Sequence, residues 1–142
     1  MNTGTVVLLV CLSVSVDCLF NVGRTQSVAV SGKLVCNGAA ASSGVKLKLY
    51  DVGTVEDTLM DQGTPNTDGT FYVEGDHSDI TSLSPKLNIY HKCNYNGLCY
   101  KKLQINIPSS YIASGSKPSQ TYDIGTLNLA NQVVGETTDC IN

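Results

Sequence analysis

Arginine is nearly missing from this chain. Arg24 is the single arginine in 142 residues, and the formal net charge is −3. Guanidinium forks, the usual tools for bidentate phosphate reading, are therefore scarce, and the mild acidity gives no electrostatic footprint for nucleic acid. A second long apolar run is also missing. The one run present, 5–16 "TVVLLVCLSVSV", is shorter than the roughly 20 residues that span a bilayer and has the length of a signal-peptide core. The tail "GETTDCIN" is polar, so neither a transmembrane anchor nor a GPI signal is expected. The sequence thus predicts a leader over 1–20, without Lys or Arg ahead of its apolar core, cut between Cys18 and Phe20. The product is expected to be secreted into the extracellular space, as one domain over 21–142. There is no N-x-S/T sequon, no internal repeat, no low-complexity tract and no linker.

Past the leader four cysteines remain, Cys36, Cys93, Cys99 and Cys140. An even number in a small exported domain reads as two disulfides with three connectivities. Around them the sequence alternates with period two. In 27–37 Val28, Val30, Leu34 and Cys36 share a face, and in 45–51 Val45, Leu47 and Leu49 alternate with Lys46, Lys48 and Tyr50. Further runs are 70–74, 86–93, 99–107 and 122–130, broken by "NG", "DG", "SG" and Pro clusters. Segment 55–62 is expected as a weak strand or a loop, "NTDGTF" (66–71) as a turn feeding a strand, and "GDHSD" (75–79) as a polar turn. The fold class expected is all-β, an antiparallel β-sandwich of about seven to eight strands.

The densest chemistry lies in 91–102, "HKCNYNGLCYKK". Setting Cys93 opposite Cys99 across a hairpin pairs Ile89 with Leu103, Leu87 with Ile105, Asn88 with Gln104 and Tyr90 with Lys102. A slip of one residue would turn every side chain to the wrong face. The expected bridges are therefore Cys93–Cys99 and, by elimination, Cys36–Cys140. Chain entropy assigns about 4–5 kcal/mol to the long loop and about 2 kcal/mol to the short one. A zinc site from His91, Cys93 and Cys99, with His77 as fourth ligand, competes for the same atoms. Structural zinc favours tighter cysteine pairs and secreted thiols oxidise, so no metal and no cofactor is expected. His91, on the face of Leu87 and Ile89, reads as a partly buried histidine near the sheet end rather than a catalytic one. Tyr90, Lys92, Tyr100 and Lys102 point outward and Tyr95 sits in the loop. These five are the candidate partner-binding residues, against the reading in which lysines merely blunt edge pairing.

Several fragments in order, "VSGKLVCNG", "GVKLKLYD", "TDGTF", "LNIYHKC", "INIPSSYI", "YDIGTLNL" and "GETTDC", resemble the nematode transthyretin-like family over about Gln26 to Cys140. The resemblance implies a secreted, disulfide-bonded, prealbumin-like sandwich of nematode origin. It also implies extracellular ligand carriage, signalling or cell-surface recognition. The related hydroxyisourate hydrolases need a first-strand histidine, an arginine, further histidines and a C-terminal Tyr-Arg-Gly-Ser. Here 27–37 has no histidine, Arg24 precedes it, and the chain ends "TTDCIN". With no evident base or oxyanion stabiliser, hydrolysis is disfavoured and no catalytic residue is expected. The expected function is a secreted non-enzymatic binding protein for an extracellular protein, a cell-surface receptor or a small ligand. An anionic lipid head group is a further candidate. Carriage of a small apolar ligand and, behind it, hydroxyisourate hydrolysis are the alternatives.

Overall fold

The computed structural model describes residues 23–131 and 135–142, so the expected leader lies outside the described residues. Ten strands follow one another: β1 (Arg24–Cys36), β2 (Ala39–Ala40), β3 (Lys46–Asp51), β4 (Thr58–Gly63), β5 (Thr70–Asp79), β6 (Pro85–His91), β7 (Tyr100–Asn106), β8 (Ala113–Ser114), β9 (Thr121–Asn128) and β10 (Thr137–Asp139). Seven have six residues or more, in keeping with the expected count. A 3-10 turn, Ser109–Tyr111, is the single helical element among the described residues.

The strands form two sheets. In the first, β1 is the hub: it pairs antiparallel with β5, β2 and β8, and parallel with β9. The second runs β10-β7-β6-β3-β4 and is antiparallel throughout. Strict alternation places the inner residues. In β3, Leu47, Leu49 and Asp51 are buried while Lys46, Lys48 and Tyr50 are partly covered on the other face. Val28, Val30, Leu34, Phe71 and Val73 of the first sheet meet Leu47, Leu49, Leu87, Ile89 and Leu103 of the second in one core.

The turn expected at 66–71 is present, closed by Gly69 N–H donating to Asn66 O at 2.9 Å. Gly69 is required there on two counts. Its φ is +85°, and a Cβ would sit 2.3 Å from the Leu34 carbonyl oxygen. Segment 55–62 yields β4, an edge strand. "GDHSD" is not a turn, because β5 continues through it to Asp79. Gly75 pairs with Val28, and the Met60 backbone packs so close that a Cβ would approach it to 2.8 Å. The glycine marks a close approach within a strand rather than a break.

The hairpin register is the expected one, with Leu87 opposite Ile105, Asn88 opposite Gln104, Ile89 opposite Leu103 and Tyr90 opposite Lys102. The bridges are not. Cys36 joins Cys93 and Cys99 joins Cys140, so both expected pairings, Cys93–Cys99 and Cys36–Cys140, are corrected. Strand β6 stops at His91, two residues before Cys93. Cys93 N–H donates to His91 Nδ1 (3.1 Å) instead of to the ladder, and Asn94 turns left-handed at φ 53°. That corner carries Cys93 away from β7 to the end of β1. There Asn37, also at φ 53°, donates from Nδ2 to Asn94 Oδ1 at 2.8 Å. Two Cys-Asn corners therefore meet, and their bridge ties one sheet to the other. Cys99 finds its cross-strand neighbour on the other side: the β10–β7 register, Asp139 opposite Tyr100, places Cys140 opposite Cys99 one step on. With sequence separations of 57 and 41, chain entropy assigns roughly 4 kcal/mol to each bridge. The contrast between a strong and a weak staple disappears.

Candidate functional site

The outward face of the second sheet carries alternate residues of β3, β6 and β7. The registers set them in rows: Lys46, Tyr90 and Lys102; Lys48, Asn88 and Gln104; Tyr50, Lys86 and Asn106. Lysines and tyrosines interleave across strands, and the ammonium groups lie over the rings. Lys46 and Lys92 flank Tyr100 at 4.8 and 5.0 Å from its centroid, Lys48 lies 5.6 Å from Tyr90, and Lys86 lies 5.7 Å from Tyr50. Significant cation–π pairs occur about once per 70–80 residues, so four on one face is a concentration.

Five lysines, Lys46, Lys48, Lys86, Lys92 and Lys102, face two acids. Asp57 pairs with Lys86 at 2.7 Å and Asp139 with Lys102 at 3.4 Å. Among the described residues Lys46, Lys48 and Lys92 have no carboxylate partner, although Lys46 donates to Asn142 Oδ1 at 2.7 Å. An excess of three positive charges thus sits on one face of a chain whose net charge is −3. The Lys86 ammonium holds Asp57 below the usual carboxylate range. Burial, then the neighbouring Tyr90 phenol, push Tyr50 up, with Lys86 acting the other way. Tyr50 stays a neutral phenol and does not offset the lysines.

The five candidate residues do not stay together. Lys92, Tyr100 and Lys102 belong to this face. Tyr90 does too, but it is 3% exposed. Its strand is flanked by β3 and β7, and the Lys48 ammonium lies 5.6 Å from its ring centroid, so Tyr90 sits beneath the face and not on its exposed surface. Tyr95 lies 5.8 Å from Lys101, whose side chain has the parity of Leu103 and not of Lys102. Lys46, Lys48 and Tyr50 were identified by the sequence only as the polar side of a strand; the register adds them to the site.

His91 is fully buried, with Nε2 3.0 Å from Glu136 Oε2 and Nδ1 accepting from Cys93. Nδ1 therefore carries no proton, and Nε2–H donates to Glu136. With both nitrogens engaged and both nearby cysteines oxidised, the zinc set His91, Cys93, Cys99 and His77 is not assembled. His77 lies elsewhere, its Nδ1 2.9 Å from Asp51 Oδ2. A shallow cleft of about 240 Å³ beside the Cys36–Cys93 bridge is lined by Ala41, Val45, His91 and Leu129. It falls below the roughly 300–1,000 Å³ of ordinary ligand sites.

Two facing sheets, an inter-sheet disulfide and a Lys–Tyr outer face define a disulfide-stabilised β-sandwich of the prealbumin type. The transthyretin-like family model matches residues 31–108. Among curated relatives, transthyretin-like protein 5 of Caenorhabditis elegans is 44% identical over 96% of this chain and 98% of its own length. Transthyretin-like protein 2 of the same organism is 39% identical over 85% and 86%, and transthyretin-like protein 33 is 38% identical over 83% and 84%. The chain belongs to the transthyretin-like family. No helix among the described residues is long and apolar enough to cross a membrane.

Proposed function

We propose that this is a secreted, non-enzymatic extracellular binding protein that recognises an anionic partner through the Lys–Tyr face of its second sheet. The observation that carries the reading is the local excess of lysines without carboxylate partners, set among tyrosine rings on a chain that is acidic overall. Such a face attracts anionic head groups or acidic protein surfaces and offers them flat, rigid contact area. Export is supported by the leader expected at 1–20 and by two disulfides, which persist in oxidising compartments. A non-enzymatic role is supported by His91, whose ring has no accessible nitrogen.

The test is binding of the secreted protein to vesicles with anionic or neutral head groups, and to native cell surfaces, at two salt concentrations. The triple substitution Lys46→Gln, Lys48→Gln, Lys92→Gln is expected to weaken binding about tenfold or more, the wild-type affinity falling with salt. Binding that ignores both the substitutions and the salt would assign recognition to another surface.

A further inference from the structure

At the end of β3 remote from the Cys36–Cys93 bridge, three side chains converge from both sheets. Asp51 closes β3 with its side chain turned inward, only 3% of the residue exposed. Its Oδ1 accepts the Ser84 N–H at 2.8 Å, and its Oδ2 lies 2.9 Å from His77 Nδ1. Asp79 stands two residues beyond His77 and so on the same side of β5. Its Oδ1 accepts the Thr81 N–H at 3.1 Å and the Thr81 hydroxyl at 3.2 Å. One donor atom from each of Asp51, His77 and Asp79 lies within 4.8 Å of the other two.

Three properties separate this cluster from an ordinary ion pair. The donor set is mixed, one imidazole nitrogen and two carboxylate oxygens, the chemistry that suits zinc and its neighbours. The spacing is near what such an ion needs: ligands about 2.0–2.1 Å from a tetrahedral ion stand roughly 3.3 Å apart. Asp51 Oδ2 and His77 Nδ1 stand at 2.9 Å, and the Asp79 donor lies within 4.8 Å, inside the reach of a side-chain rotation. The charge is uncompensated: among the described residues the buried Asp51 carboxylate has no lysine or arginine partner, only an imidazole that is neutral unless protonated. Arg24 is opposite Asp79 in the β1–β5 register but makes no ion pair with it. A buried charge without a permanent counter-charge is costly, and a second carboxylate beside it adds to the deficit. The Ser84 and Thr81 bonds orient each carboxylate through one oxygen, as second partners of metal ligands do.

We propose that Asp51, His77 and Asp79 form a site for one divalent transition-metal cation of the zinc class, clasping β3 to β5. The remaining coordination positions open toward solvent on the side where His77 is one-third exposed. Calcium is disfavoured, because it takes six to eight oxygen ligands and little nitrogen.

The experiment is calorimetric titration of the chelator-stripped, disulfide-bonded protein with Zn²⁺, alongside thermal melts with and without the ion. One ion per chain and a melting temperature raised by several degrees, reversed by chelator, are expected. His77→Gln and Asp79→Asn alter partly exposed positions and leave the core intact. Each is expected to weaken Zn²⁺ binding at least tenfold, whereas Asp76→Asn, on the opposite side of β5, leaves it unchanged. No saturable binding at millimolar Zn²⁺ would overturn the proposal. So would wild-type affinity in both the His77→Gln and Asp79→Asn proteins, or binding of Ca²⁺ in preference to Zn²⁺.

Discussion

The two ends of β3 hold the sandwich together by different means. Near Lys46 the sheets are joined covalently by Cys36–Cys93, with the Asn37–Asn94 hydrogen bond beside the bridge. Near Asp51 they are joined by a buried carboxylate shared between His77 of the first sheet and Ser84 N–H at the entrance to β6. The first clasp is indifferent to protonation and to ions, and works mainly by restricting the unfolded chain. The second is non-covalent and exists only in the folded state. A sandwich with one clasp of each kind is closed covalently at one end and by hydrogen bonds at the other.

The largest effect should come from opening the covalent end. Replacing Cys36 and Cys93 together by serine is expected to cost roughly 4 kcal/mol, read from the denaturant midpoint. The Cys99→Ser, Cys140→Ser pair should cost a similar amount while exposing β10 amides, and leaving β1 amides protected, in hydrogen exchange. Next is the polar end. Asp51→Ala removes the buried acceptor of the part-buried Ser84 N–H bond and the partner of His77. It should cost roughly 1–3 kcal/mol, with Asp51→Asn recovering most of the loss because it can still accept the Ser84 bond. Gly69→Ala lies in the same range, roughly 1–3 kcal/mol, through its positive φ and the contact with the Leu34 carbonyl. Acid sharpens the contrast further. Thr81, first through its backbone N–H, holds the Asp79 carboxyl below the usual range, and Lys86 does the same for Asp57. Their folded pKa values are depressed, so their stabilisation is present above the ordinary carboxylate pKa of about 4 and is lost as pH falls through the folded values. Melts below pH 4 should therefore loosen the Asp51 end, seen as faster exchange in β4 and the end of β5, before the disulfide end. The smallest stability change belongs to the lysine triple substitution of the outer face, expected within about 0.5 kcal/mol. A larger loss would mean that the face is structural and not kept for binding.

Strand positions and the β6–β7 register were legible because each follows from local alternation: Leu87, Ile89, Leu103 and Ile105 must share a face whatever the rest of the chain does. The disulfides were not, and the reason lies in three residues. Extending the register to Cys93 assumes that β6 continues past His91, but His91 Nδ1 takes the Cys93 amide, and the Asn94 corner ends the ladder. That Asn37 waits with a matching corner 57 residues away is not visible in either local stretch. The acidic segment 75–79 misled for a related reason: glycine beside aspartates has the composition of a turn, and only the approach of Met60 from β4 shows why glycine is needed in a strand there.

The Lys–Tyr face shows the same division. The sequence by itself determined that Lys46, Lys48 and Tyr50 share one side of their strand, and likewise Lys86, Asn88 and Tyr90, because period-two alternation is a property of each strand alone. Only the tertiary structure decided that these sides abut, that Tyr90 is buried among them, and that Cys36 meets Cys93 and Asp51 meets His77. Those outcomes depend on which strands become neighbours and where each leaves its sheet, and both are settled by contacts between residues far apart in the chain.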